Sequence, residues 1–115
     1  MPPSDRAPIL DMLKAARLAL RFVDGVDRSA FIRDEEKQSA VLHQLLVLGE
    51  AAKRVGAAVR ADAEGIPWSD IAGMRDRLIH RYHDVDLDEV WRTVERDLPG
   101  LTTQLETVAP APDDA

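Results

Sequence analysis

A chain of 115 residues, 45% apolar and 31% charged, supports one hydrophobic core and excludes a multidomain enzyme with a separate cofactor domain. The absence of cysteine excludes a disulfide framework, thiolate metal sites and thiol nucleophiles, and fits a reducing compartment. A net charge of -6 argues against coating nucleic acid by bulk electrostatics, and the few aromatic residues disfavour a base-stacking sheet.

Residues 1–7 carry Pro2, Pro3, Asp5 and Arg6 where a secretory leader would need an apolar run, so a flexible N-terminus on a soluble, cytoplasmic protein is expected, with no membrane partner. From Pro8 onward, Ile9, Leu13, Ala16, Leu20 and Val23 recur at helical spacing, and the helix should end near Gly25 and the polar cluster at 27–29. A second, longer helix is predicted over 34–60, with Val41, Leu45, Leu48, Ala52, Val55 and Val59 in one stripe. Its small residues, Gly49, Ala51, Ala52 and Gly56 among them, allow a neighbouring backbone to come close at some cost in helix propensity.

Gly65-Ile66-Pro67 breaks that pattern, and a third helix is predicted over 67–82. A fourth opens at Asp86 with a capping box completed by Glu89, ahead of Val90, Trp91, Val94 and Leu98. Pro99-Gly100 should kink or end it, Leu101, Leu105 and Val108 predict a last short helix, and 109–115 reads as a disordered tail. Nothing alternates with a period of two, so the expected fold is an all-α, up-and-down bundle of four long helices plus a short C-terminal helix, a single domain over 8–108.

The third helix holds the chemical anomaly. At about 100 degrees per residue, Ile71, Met74, Leu78 and Ile79 share an apolar arc, and Arg75 and Tyr82 fall near its middle. A guanidinium cannot discard its charge, so Arg75 there requires an acidic partner, a bound anion or a wet interface. His80 lies about 140 degrees from Arg75, and the two can share a site only if the helix unwinds near His80 or a two-fold partner supplies a second copy. Asp76, four residues before His80, could hydrogen-bond the imidazole and favour its protonated form.

Other groupings are weaker. Asp84, Asp86, Asp88 and Glu95 match calcium-loop spacings, but Glu89 stands where that loop requires glycine. His80, His83 and Asp84 could ligate zinc, but no third strong ligand is placed. Glu50 forms either a solvated pair with Arg54 or the acid that faces an arginine of the site.

The segment Arg75-Asp-Arg-Leu-Ile-His80-Arg-Tyr82 has the form R-x-x-x-x-H-x-Y. Together with Leu48-Gly-Glu-Ala-Ala-Lys53, Ile66-Pro-Trp68, Ile71-Ala-Gly-Met-Arg75, Tyr82-His-Asp-Val-Asp86, Val90-Trp91 and Asp97-Leu-Pro99, in that order, it resembles the HepT-like toxins of the HEPN superfamily. The resemblance covers about residues 8–108. It implies a metal-independent endoribonuclease that needs no cofactor, active as a homodimer or higher even oligomer on RNA, and the toxin of a type VII toxin–antitoxin pair. Its partner would be an MntA-like nucleotidyltransferase antitoxin that transfers AMP from ATP to the motif tyrosine. On that carry-over Arg75 and His80 are catalytic, Asp76 supports them where such proteins commonly carry Asn or another polar residue, and Tyr82 is the AMP acceptor. A non-catalytic dimeric module that binds a nucleotide or the nucleotidyltransferase is the alternative.

Overall fold

A computed structural model describes residues 1–110, which build an all-helical bundle without strands among the described residues. Helix α1 (Pro3–Phe22) is followed by a short α2 (Arg28–Ile32), then α3 (Glu35–Arg54), a short α4 (Ala57–Asp62) and α5 (Trp68–His80). Helix α6 (Leu87–Arg92) passes through a π-helical turn at Thr93–Asp97 directly into α7 (Leu98–Val108).

The stripe on the second predicted helix is the centre of the core. Val41, Leu45, Leu48, Ala52, Val55 and Val59 are all buried, joined by Ile9, Met12 and Leu13 from α1, Val90 and Val94 from the fourth rod, and Leu98 and Leu105 from α7. Each such large side chain contributes about 1.5–3 kcal/mol when fully buried. Helix α3 packs most extensively on α1 and next on α5, while α7 returns to cover α1. The wide buried arc of α3 is thus explained by neighbours on two sides. Phe31 of α2 meets Trp91 of α6 with ring centroids 5.3 Å apart, closing one end of the bundle.

Several boundaries differ from expectation, each for a physical reason. Helix α1 starts at Pro3, inside the segment expected to be a flexible N-terminus, and Asp5 in its first turn is buried. The Asp5 carboxylate accepts the Gly56 N–H at 2.6 Å, and this bond between residues distant in sequence accompanies the break that divides the predicted 34–60 helix into α3 and α4. The 27–29 cluster does not merely end a helix: Asp27 accepts the Ala30 N–H and caps α2, after a turn in which Gly25 takes a φ of 73°.

Asp86 caps α6 by accepting the Asp88 and Glu89 N–H groups, but Glu89 does not reach back, because Arg77 of α5 holds its carboxylate at 2.8 Å. Pro99 does not end the last rod. The widened π turn just before it absorbs the missing N–H and the ring's clash with the carbonyl four residues back, so the predicted fourth and fifth helices run on as one. Among the described residues no helix is long and apolar enough to cross a membrane. Of the expected 109–115 tail, residues 111–115 lie outside the described residues.

Candidate functional site

The site is built where α5 crosses α3 at Gly49. A Cβ at that position would overlap the Arg75 Cβ and sit 2.8 Å from the Arg75 Cγ and 3.3 Å from the Ile71 carbonyl oxygen. The missing side chain lets α5 come in close, and the root of Arg75 fills the gap. From there the guanidinium runs outward between carboxylates on both helices.

Arg75 Nη2 lies 2.8 Å from Glu50 Oε2 on α3, and Nη1 donates to Asp76 Oδ1 at 3.1 Å. Lys53 of α3 donates to the same Asp76 oxygen at 2.5 Å. Two cations and two carboxylates therefore alternate across the α3–α5 seam, a locally neutral cluster. Hydrogen bonds from Lys53 and Arg75 hold the Asp76 carboxyl below its ordinary pKa of 3.8. The Arg75 Nε–H is buried and has no hydrogen-bond partner among the described residues, and a donor left unmatched in this way costs about 1–3 kcal/mol.

The open alternatives at Glu50 are thereby resolved. Glu50 faces the motif arginine, and Arg54 instead pairs with Asp11 of α1 at 3.1 Å. The hydrogen bond that spacing allows from the His80 imidazole to Asp76 is not made; Lys53, reaching from α3, and Arg75 donate to the carboxylate instead.

Helix α5 stays regular through His80, so unwinding does not bring the imidazole to Arg75 within one chain. His80 is exposed at the last helical position and has no side-chain partner among the described residues. Tyr82 follows in the turn, 58% exposed, its ring edge-on to His83 with centroids 5.7 Å apart. The apolar arc is narrower than the wheel predicts: Ile71, Met74 and Leu78 are buried, but Ile79 is 42% exposed. With Met1, Ile79 and Tyr82 are the large hydrophobic side chains left exposed among the described residues.

Three of the four carboxylates of the calcium-like spacing are engaged elsewhere. Asp84 pairs with Arg81 at 3.5 Å, Asp86 caps α6 and Asp88 pairs with Arg28. Among the described residues no three His, Asp, Glu or Cys side chains are grouped to hold a metal ion.

An all-helical bundle that fixes an arginine at a helix crossing and leaves a histidine and a tyrosine exposed at the end of the same helix is the class of protein described here. The chain belongs to the ribonuclease HepT-like family, which it matches over residues 12–108. It is 35% identical over 96 residues to the probable ribonuclease HepT of Thermococcus cleftensis, covering 84% of this chain and 87% of that one. It is 34% identical over 109 residues to a protein of Methanocaldococcus jannaschii provisionally named RNase MJ0125, covering 94% of each. A relative from Caldanaerobacter subterraneus, provisionally named RNase TTE0752, is 31% identical over 97 residues, 84% of this chain and 87% of its own. No solved structure matches the chain significantly.

Proposed function

We propose that this protein is a metal-independent endoribonuclease and the toxin of a toxin–antitoxin pair, with Arg75 and His80 as catalytic residues in a groove between two copies. The observation that carries the reading is the division of labour along α5. The Arg75 fork is held in place by Glu50 and Asp76, and His80 stands exposed beyond it with no side-chain partner among the described residues.

The chemistry follows from those groups. Cleavage begins when the 2′-hydroxyl oxygen attacks the adjacent phosphorus. Its proton passes to one imidazole, a second imidazole protonates the departing 5′-oxygen, and a 2′,3′-cyclic phosphate and a 5′-hydroxyl result. Histidine suits both roles because its ordinary pKa lies near neutrality. Arg75 offers the planar fork that matches the phosphate oxygens as charge gathers on them. Because α5 is straight, two imidazoles and two guanidiniums meet only if a two-fold partner docks on this face, and the exposed Ile79 and Tyr82 supply an apolar contact for it.

Tyr82 gives the off switch. Its exposed hydroxyl attacks the α-phosphorus of ATP held by an MntA-like nucleotidyltransferase, an oxygen–phosphorus bond forms, pyrophosphate leaves and the phenolic proton is lost. The appended AMP places an anion and its bulk beside the cations that must receive RNA. Intact mass of the co-expressed protein should show whole AMP units that Tyr82→Phe lacks.

A specific observation favours the second reading, a non-catalytic module that binds the nucleotidyltransferase: both Nη atoms of Arg75 already face carboxylates in a neutral cluster shared with Lys53, so an RNA phosphate must displace one. Cleavage of single-stranded RNA in EDTA by unmodified wild type and by His80→Ala decides between them. The expected loss is about 100-fold or more. Intact RNA with the wild type, alongside retained binding of the nucleotidyltransferase, would leave the module reading standing.

A further inference from the structure

Helix α1 carries a feature that the α5 site does not use. Lys14, Arg17 and Arg21 lie within about 60 degrees of one another on the wheel, on its solvent face, and all are exposed. Of the two nearest acids in sequence, each three residues from the stripe, Asp11 points aside to Arg54 and Asp24 lies beyond the helix, in the turn after it. Arg17 touches Glu106 of α7 at 3.5 Å, a pair of half-exposed side chains of little energetic weight. Lys14 and Arg21 have no side-chain partner among the described residues.

Elsewhere the exposed helix faces mix signs. The rod from α6 into α7 alternates Asp88, Arg92, Glu95, Arg96 and Asp97, and α3 exposes Glu35, Glu36 and Glu50 with Lys53 and Arg54. A stretch of single sign is thus unusual on a chain of net charge -6, and it creates a local positive potential on an otherwise repelling body.

We propose that Lys14, Arg17 and Arg21 form a phosphate track, a second contact for the RNA backbone on α1, apart from the Arg75 site. For the identity of its ligand the proposal rests on the ribonuclease reading. The three cations advance along the helix in steps of about 4.5 and 6 Å, a linear array suited to a flexible polyanion. The same face has little to anchor a protein. Its leucines, Leu10, Leu13 and Leu18, are buried or largely covered and no aromatic residue lies among them, whereas protein interfaces concentrate energy in exposed aromatic and apolar anchors. Such a track selects long RNA and leaves the cleavage step untouched, because its contacts go to phosphate and not to the reacting bond.

The test uses the full chain carrying His80→Ala, so that RNA is bound without being cut. Affinity for a labelled oligouridylate is measured across salt concentrations with and without Lys14→Ala/Arg21→Ala. Binding should weaken, and the slope of log affinity against log salt should fall by about 1.4, about 0.7 for each cation removed. An Arg60→Ala/Arg92→Ala control removes the same charge elsewhere and should change binding far less. With His80 restored, the stripe variant should lose kcat/KM on long RNA and keep it on a dinucleotide, which has a single phosphodiester.

An unchanged slope, no RNA binding at all, or an equal loss in the control overturns the track. So does a stripe variant that keeps RNA but loses the nucleotidyltransferase, since the surface would then be a protein contact. Failure of the ribonuclease reading looks different: RNA bound through the stripe with no cleavage by the wild type.

Discussion

Arg75 and His80 belong to one helix and one motif, yet the fold treats them in opposite ways. Arg75 is wedged against the bare backbone of Gly49, with Glu50 and Asp76 taking its Nη atoms and three-quarters of its side chain covered. His80 and Tyr82 stand beyond the last turn that packs, with Ile79 exposed beside them. One part of the motif is held by ion pairs within the chain, with an Nε–H that is buried and unmatched among the described residues, and the other is left exposed. That is the pattern expected when a rigid scaffold positions a cation and an assembly or substrate supplies the remaining geometry.

The contrast breaks hardest at Gly49. Gly49→Ala gains about 1 kcal/mol of helix propensity but forces a methyl into Arg75, and Ile71, one turn earlier on α5, blocks retreat. Overpacking of this kind costs about 1–3 kcal/mol, so the steric term should win by up to about 2 kcal/mol. A urea midpoint below that of the wild type, with RNA cleavage falling in parallel, is the expected outcome. A variant as stable as the wild type would mean that the helices do not approach so closely. His80→Ala should change the unfolding free energy by less than about 0.5 kcal/mol, since an exposed side chain without a partner among the described residues has little to lose.

Glu50→Gln sharpens the comparison more gently. It removes one charged partner of Arg75 and leaves the helix crossing intact. Glu50 is about half exposed, so solvent screening limits the stability loss to about 0.5–1 kcal/mol. The larger consequence falls on the guanidinium, whose fork then keeps Asp76 as its one anionic partner among those two. kcat on RNA should drop by about tenfold, more than the stability loss accounts for. Equal kcat in the variant and the wild type would show that Glu50 does not position the arginine.

Much of this contrast could be read from the sequence, and the parts that could not share a cause. The core stripe from Val41 to Val59 and the partial burial of Arg75 beside Ile71, Met74 and Leu78 are local consequences of helical periodicity. The break between α3 and α4, the choice of Glu50 over Arg54 as the relevant pair and the capture of Asp76 by Lys53 are all contacts between residues distant in the chain. Asp76 shows the difference plainly. By spacing alone it belongs to His80, one turn away, but packing of α3 brings an ammonium to it first. The run-on of the last rod past Pro99 was hidden because a π turn leaves no mark in hydrophobic periodicity.

Asp76 also supplies the smallest of these effects and the one whose sign is most specific. Its carboxyl, held by Lys53 and Arg75, has a folded pKa below the 3.8 of an unperturbed group, so the folded state favours the charged form more than the unfolded state does. The resulting stability is fully present above 3.8 and is lost as pH falls through the lower, folded value. Asp76→Asn cannot titrate. The gap in urea midpoint between wild type and Asp76→Asn should therefore stay constant from neutral pH down to about 5 and close at lower pH, and added salt should shrink it throughout because the cluster is solvent-accessible. A gap that widens on acidification would place the proton linkage elsewhere in the molecule. It would leave Lys53 and Asp76 as neighbours without energetic consequence, and the hold on Arg75 would then rest on Glu50 and Gly49.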